Sequence, residues 1–144
     1  MNRQDQVYPI RFSRARVVDA RALAELHNVT AEDLTAKHGE GPWSTVTSEA
    51  QVLRAMRSDT VYAGWSVDQH LIGTFHLNTK KPWAIDPAYF TPCQRPLYLT
   101  AMAIHPDHQR RGYGRLALDC AIEFAKAWPA DALRLDAYDD SAGG

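Results

Sequence analysis

The apolar positions of this chain change period along its length, and the changes predict where strands give way to helices. In residues 9–16, Ile10, Phe12 and Ala15 are set against Arg11, Ser13 and Arg14, the alternation of a half-buried first strand. Asp19 then stands where an N-cap belongs, before Ala20, Leu23, Leu26 and His27, which share one helix face. Thr30-Ala31-Glu32-Asp33 has the composition of a second, short helix start, with Gly39 as its end. Ser48-Glu49-Ala50-Gln51 has capping-box spacing and predicts a third helical stretch through Leu53 and Met56.

The period then shortens. Residues 60–67 and 70–78 are rich in β-branched and aromatic side chains and are separated by Asp68-Gln69, which predicts a hairpin. Gly64 and Gly73 lie inside these strands, where they weaken pairing unless something packs close over them. Residues 79–96, with prolines at 82, 87, 92 and 96, read as a long loop with a short turn around Asp86 to Phe90. A loop of that length inside a compact domain is usually functional. Residues 97–104 are almost wholly apolar, as in a buried central strand, and His105-Pro106-Asp107 ends them. Residues 112–128 carry the strongest helix signal. Leu116, Cys120, Phe124 and Trp128 form a bulky ridge, with Ala117, Ala121 and Ala125 beside it. Pro129 stops that helix, and residues 132–138 read as another strand. The sum is a mixed α/β chain with one domain over residues 1–144.

Composition narrows the classes. With 144 residues there is room for one hydrophobic core, and 16 basic against 17 acidic residues give a net charge of -1. That total offers no general attraction to nucleic acid or to an anionic membrane. Cys93 and Cys120 are far apart, too few for a disulfide scaffold or a zinc site, which fits a reducing cytoplasm with Cys120 in the core. The first residues lack the apolar segment of a signal peptide, and no apolar stretch approaches the ~20 residues of a membrane span.

The chemistry concentrates where a strand passes through Gln109-Arg110-Arg111-Gly112-Tyr113-Gly114 into a helix. Glycines at 112 and 114 let the backbone turn tightly and bring its N–H groups to a ligand. A helix start leaves about four N–H donors unsatisfied and a partial positive charge at its mouth. Arg110, Arg111 and Arg115 add cationic side chains, so the corner suits a pyrophosphate with further phosphates in reach. It is neither a dinucleotide fingerprint nor a P-loop. Alone, the run also reads as a glycine-rich turn with a solvated basic face. The order of strand, His-Pro, glycine turn and helix favours the phosphate site.

The whole run Leu97-Tyr98-Leu99-Thr100-Ala101-Met102-Ala103-Ile104-His105-Pro106-Asp107-His108-Gln109-Arg110-Arg111-Gly112-Tyr113-Gly114 resembles the acetyl-CoA motif of the GNAT family of N-acetyltransferases. The specific part of the likeness is residues 97–128. The resemblance implies a central mixed, mostly antiparallel sheet flanked by helices. It implies transfer of an acetyl group from acetyl-CoA to a primary amine on a small molecule or peptide. Gln109 to Arg115 (Gln109, Arg110, Arg111, Gly112, Tyr113, Gly114 and Arg115) would hold the pyrophosphate. Met102, Ala103 and Ile104 would face the pantetheine arm beside a bulge near Ala101-Met102, between strand 97–104 and strand 132–138. Trp43, Trp83, Tyr89 and Phe90 fall where the family's acceptor sites are lined, and packing explains each of them at least as well.

Two departures from the family pattern stand out. Freeing the lone pair of a lysine-like amine at pH 7 costs roughly 4–5 kcal/mol, work that many members assign to a glutamate on the central strand. Thr100 occupies that position here and cannot do it; His76 is a substitute by residue type, and Asp136 and Asp139 lie near the expected pantetheine end. The second departure is that Asp139-Asp140-Ser141-Ala142-Gly143-Gly144 leads toward the family's last helix and strands, so a truncated form is expected, with another subunit of a homodimer covering strand 132–138. Both departures keep a second reading open, a non-catalytic acyl-CoA-binding module or degenerate GNAT subunit.

Overall fold

A computed structural model describes residues 10–82 and 86–135. Five strands form one sheet in sequence order: β1 (Ile10–Arg14), β2 (Thr60–Ser66), β3 (Leu71–Asn78), β4 (Pro96–Ile104) and β5 (Ala132–Arg134). The first four are antiparallel neighbours and β5 runs parallel to β4, as the crossover through α3 (Tyr113–Ala127) requires. This is the mixed, mostly antiparallel sheet flanked by helices that the family resemblance implied. Among the described residues no helix is long and apolar enough to cross a membrane.

Before β2 come α1 (Ala20–His38) and α2 (Glu49–Ser58). The expected break in α1 near Thr30 is absent. Thr30 Oγ1 donates to the Leu26 carbonyl at 2.8 Å and Asn28 is engaged with the Thr47 backbone outside the helix, so both side chains are satisfied without ending it. Gly39, at φ 78°, does end it. Asp19 caps nothing in α1; its carboxylate instead accepts from the Arg16 N–H of the preceding turn. Ser48 opens α2 as expected: it accepts from the Gln51 N–H at 3.2 Å while Gln51 accepts from the Ser48 N–H at 2.7 Å.

The hairpin between β2 and β3 turns through Gln69 at φ 64°, whose N–H donates to the Ser66 carbonyl. A left-handed third loop residue explains why Asp68-Gln69 need not be a primed-turn pair. Gly64 and Gly73 face each other across β2 and β3. A Cβ at either would collide with Phe12 or Ile104, so the two glycines are the floor on which those side chains lie.

The two faces of the sheet differ. On the α3 face, Tyr62, Phe75, Leu77, Leu97 and Leu99 meet the small row Ala117, Ala121 and Ala125. The small row lets the helix approach, and Phe124 from the bulky row stacks on Tyr62 at 4.3 Å, with Phe75 against both rings, at 5.0 Å from Tyr62 and 6.4 Å from Phe124. Cys120 packs against this core, where burial pushes its thiol pKa up and keeps it inert. On the opposite face, α1 and α2 cover Val61 and Ala63 through Leu23, Ala24 and Val52. Toward β4 and β5 that face turns polar.

Candidate functional site

β4 is interrupted at Ala101. His76 pairs with Thr100 and Thr74 with Ala103, so two residues of β4, Ala101 and Met102, lie opposite Phe75 alone. This is a bulge, and Ala101 takes φ 51° to make it. β5 pairs with β4 at Pro96, Leu97 and Tyr98. From Leu99 onward, β4 has no partner on its β5 side among the described residues. The expected continuation of β5 to residue 138, with Asp136, lies outside them, as do Asp139 and Trp83.

The chain leaves β4 through His105, whose N–H still donates to the Ile72 carbonyl at 2.8 Å. A 3-10 turn over Pro106–His108 follows, with the Asp107 N–H donating to His105 Nδ1 at 3.1 Å. Arg110 then takes φ 63° and Gly112 φ 83°. Left-handed geometry at a non-glycine residue is uncommon and costs on the order of 1–3 kcal/mol, and it clusters at functional sites. Ala101 and Arg110 both carry it on the two sides of this corner.

Gly112 is the N-cap of α3, and no side chain caps the helix. The first bond of the ladder is Leu116 N–H to the Gly112 carbonyl at 3.0 Å, which leaves the N–H groups of Gly112, Tyr113, Gly114 and Arg115 without an intrahelical acceptor. Glycine is needed at 112 for its φ, whereas space around it is open. At 114 a Cβ would meet only Met102 Cε, at 3.8 Å, an ordinary contact. Nothing among the described residues demands glycine there, so the space in front of Gly114 is open to a ligand. Arg110, Arg111 and Arg115 are exposed and form no hydrogen bond or ion pair among the described residues.

Two contacts tie this corner to the bulge. Met102 reaches over Gly114, and Gln109 Nε2 donates to the Ile104 carbonyl at 3.0 Å. Gln109 thus braces the loop against the strand end, and one strand carbonyl expected to face a ligand already carries that bond. Met102 is 37% exposed, Ala103 is buried and Ile104 half-buried. The residues expected at the site, Met102 to Ile104 and Gln109 to Arg115, therefore share one corner. Uncapped donors, unpaired cations and a free strand edge suit an anionic ligand with an amide-bearing arm.

On the α1 face beside the bulge stands a second polar group. His76 sits opposite Thr100 across the ladder, so their side chains share a face. His76 is 8% exposed, and its Nδ1 lies 3.3 Å from Asp59 Oδ2, at the start of β2; Asp59 Oδ1 also accepts from Asn78 Nδ2. His27 of α1 approaches His76 edge-on, with ring centroids 6.2 Å apart. Burial, and secondarily His76, lowers the His27 pKa to about 4, so His27 is neutral near pH 7. The sequence marks His27 only as part of a helix face and does not mark Asp59; they lie 49 and 17 positions from His76, and only folding joins them.

Of the aromatic residues read as possible acceptor lining, Trp43 donates through Nε1 to the Gly39 carbonyl and packs edge-on to His38. Tyr89 is 85% exposed. Phe90 lies 5.2 Å from the guanidinium of buried Arg134, which donates to Tyr98 Oη and the Thr91 carbonyl at 2.9 Å each. Arg134 thus pins the end of the long loop to β5. Between α1 and the segment leading to α2 is a cavity of about 480 Å³. Its lining includes Ala31, one turn beyond His27, and the carboxylates of Glu32 and Glu40, but no basic side chain.

No individually characterised protein matches the chain by sequence. Among solved structures it resembles a ribosomal-protein-alanine N-acetyltransferase of Brucella melitensis biovar Abortus at a TM-score of 0.65 and 16% identity, over 91% of this chain and 81% of that one. It also resembles a mutant of the BH1408 protein of Bacillus halodurans (TM-score 0.64, 20% identity, 90% and 83% covered). A third likeness is to an aminoglycoside acetyltransferase from an uncultured soil metagenomic sample (0.61, 14%, 90% and 80%). At these identities the likeness is one of fold. The family model for the acetyltransferase (GNAT) family matches residues 23–143, spanning both the α1 face and the glycine corner, and the chain belongs to that family.

Proposed function

We propose that the chain transfers an acetyl group from acetyl-CoA to a primary amine. The observation that carries the reading is the uncapped start of α3 at Gly112, joined by the Gln109 to Ile104 bond to the bulged stretch of β4 that has no partner on its β5 side among the described residues. The N–H groups of Gly112 to Arg115 would hold the pyrophosphate, with Arg110, Arg111 and Arg115 around it. Main-chain groups of Met102 and of Ile104, whose carbonyl already holds Gln109, would pair the amides of the pantetheine arm beside Ala103. That would bring the thioester to the Thr100–Ala101 level of the sheet. The cavity lined by Glu32 and Glu40 suits a cationic acceptor, since opposite charge favours its entry.

Thr100 in place of a carboxylate favours a second reading, an acyl-CoA-binding module without transfer. The two separate in one pair of measurements. Acetyl-CoA binds the folded state alone and so raises the melting temperature under both readings. Release of free thiol in the presence of a panel of primary amines is expected only from the enzyme. A chain whose melting temperature ignores acetyl-CoA contradicts both.

A further inference from the structure

Thr100 leaves the acceptor ammonium without a neighbouring carboxylate on β4, yet the residue opposite it carries the features of a base. His76 Nδ1 is held by Asp59, which fixes the ring and favours the tautomer with its proton on Nδ1. Among the described residues the one buried side-chain nitrogen or oxygen without a partner is Arg134 Nε. His76 Nε2, the other ring nitrogen, is therefore not fully sealed, although the residue as a whole is buried. A base oriented by a carboxylate, with its second nitrogen open, is the arrangement that proton abstraction needs. Its place fits as well, opposite Thr100 and next to the bulge at Ala101.

We infer that His76, oriented by Asp59, is the general base for the acceptor amine, an inference that rests on the acetyl-transfer reading. His76 Nε2 takes one proton from the acceptor ammonium. The freed lone pair forms the C–N bond to the acetyl carbon, and the C–S bond breaks, its electron pair leaving on sulfur. The nitrogen's second proton goes to the thiolate, and the imidazolium returns its own proton to water. Neutral His27 beside the ring places no second positive charge against the imidazolium. Asp59 supplies a negative one.

A nucleophile that is already neutral needs no base, and the test turns on that. The wild type, His76→Gln and Asp59→Asn are assayed with acetyl-CoA and either butylamine, a strongly basic amine, or hydroxylamine, which is neutral at the assay pH. Melting temperature and acetyl-CoA affinity are followed in parallel to confirm folding. In H76Q, transfer to butylamine should fall about a hundredfold while transfer to hydroxylamine stays within a few-fold. D59N, which retains the imidazole, should lose about tenfold with butylamine only. Equal losses with both nucleophiles in folded variants overturn the base role, as does unchanged butylamine transfer in both. A wild type that uses hydroxylamine but never butylamine also sinks it, leaving acetyl transfer standing. A wild type inert toward both overturns the acetyl-transfer reading and this one with it.

Discussion

The two polar regions of this molecule are made in opposite ways. The corner from Gln109 to Arg115 is one unbroken stretch, shaped by its own backbone angles at Arg110 and Gly112. The cluster around His76 draws Asp59 from the start of β2, Asn78 from β3, Thr100 from β4 and His27 from α1. The first exists wherever the local chain takes its turn; the second exists only when helix and sheet are packed. A contiguous site should fail through one residue's conformation without unfolding the rest of the chain. A dispersed site should report on the stability of the whole α1 face.

Gly112→Glu should therefore have the largest effect, chiefly on binding. The side chain has open space but must adopt φ 83°, and its carboxylate would stand at the helix mouth against a diphosphate. Losing two hydrogen bonds to a charged ligand, at roughly 1.5–3 kcal/mol each, weakens acetyl-CoA by about a hundredfold to ten-thousandfold. Calorimetric titration should show this, while the left-handed strain lowers the unliganded melting temperature by several degrees without unfolding the chain. Retained affinity in a folded variant would remove the corner from the site and dissolve the contrast.

The same contrast explains what the sequence made legible. The glycine turn, the alanine row of α3 and the capping box at Ser48 are local codes, and local geometry obeys them. The bulge at Ala101 was accessible through family resemblance alone, because nothing in Thr-Ala-Met-Ala marks a left-handed alanine. α1 was misread as two helices because Thr30, ahead of Ala31-Glu32-Asp33, also favours a cap. Its hydroxyl instead donates to the Leu26 carbonyl, and nearby Asn28 is held by the Thr47 backbone, a tertiary contact. Asp59 follows a helix and precedes a strand, where an acidic residue has many ordinary roles. Its link to His76 is visible only in the β2–β3 register, which sets His76 against Val61, two residues beyond Asp59.

His27 sharpens the comparison from the dispersed side, with a somewhat smaller effect. Its pKa falls from 6.5 to about 4 on folding, chiefly through burial and then through His76. Between those values the unfolded chain takes up a proton that the folded chain refuses, so stability is fully present above pH 6.5 and is lost as pH falls toward 4. The loss amounts to about 3 kcal/mol at most. Urea midpoints at pH 7.5 and pH 4.5 should fall farther in the wild type than in His27→Gln. Parallel shifts in the two would show that the α1 face carries no such proton linkage.

The smallest effect tests whether the α1 face depends on a helix that does not touch the corner at all. Ser48 and Gln51 satisfy each other's backbone N–H groups at the start of α2, and Val52 in the next turn packs with Leu23 and Ala24 against β2. Asp59 accepts no cap in α2; its own N–H closes the helix on the Ala55 carbonyl at 2.8 Å, so α2 carries Asp59 at its end. Ser48→Ala should cost about 1 kcal/mol of stability, the usual loss for a serine cap, read as a lowered urea midpoint. Frayed at its start, α2 still ends on the same carbonyl, so acetyl-CoA affinity should be unchanged and butylamine transfer reduced no more than a few-fold. A variant that loses cofactor affinity along with stability would show that the corner is not autonomous. In that case the local turn at Gly112 is held by the packing of the far face rather than by its own chain.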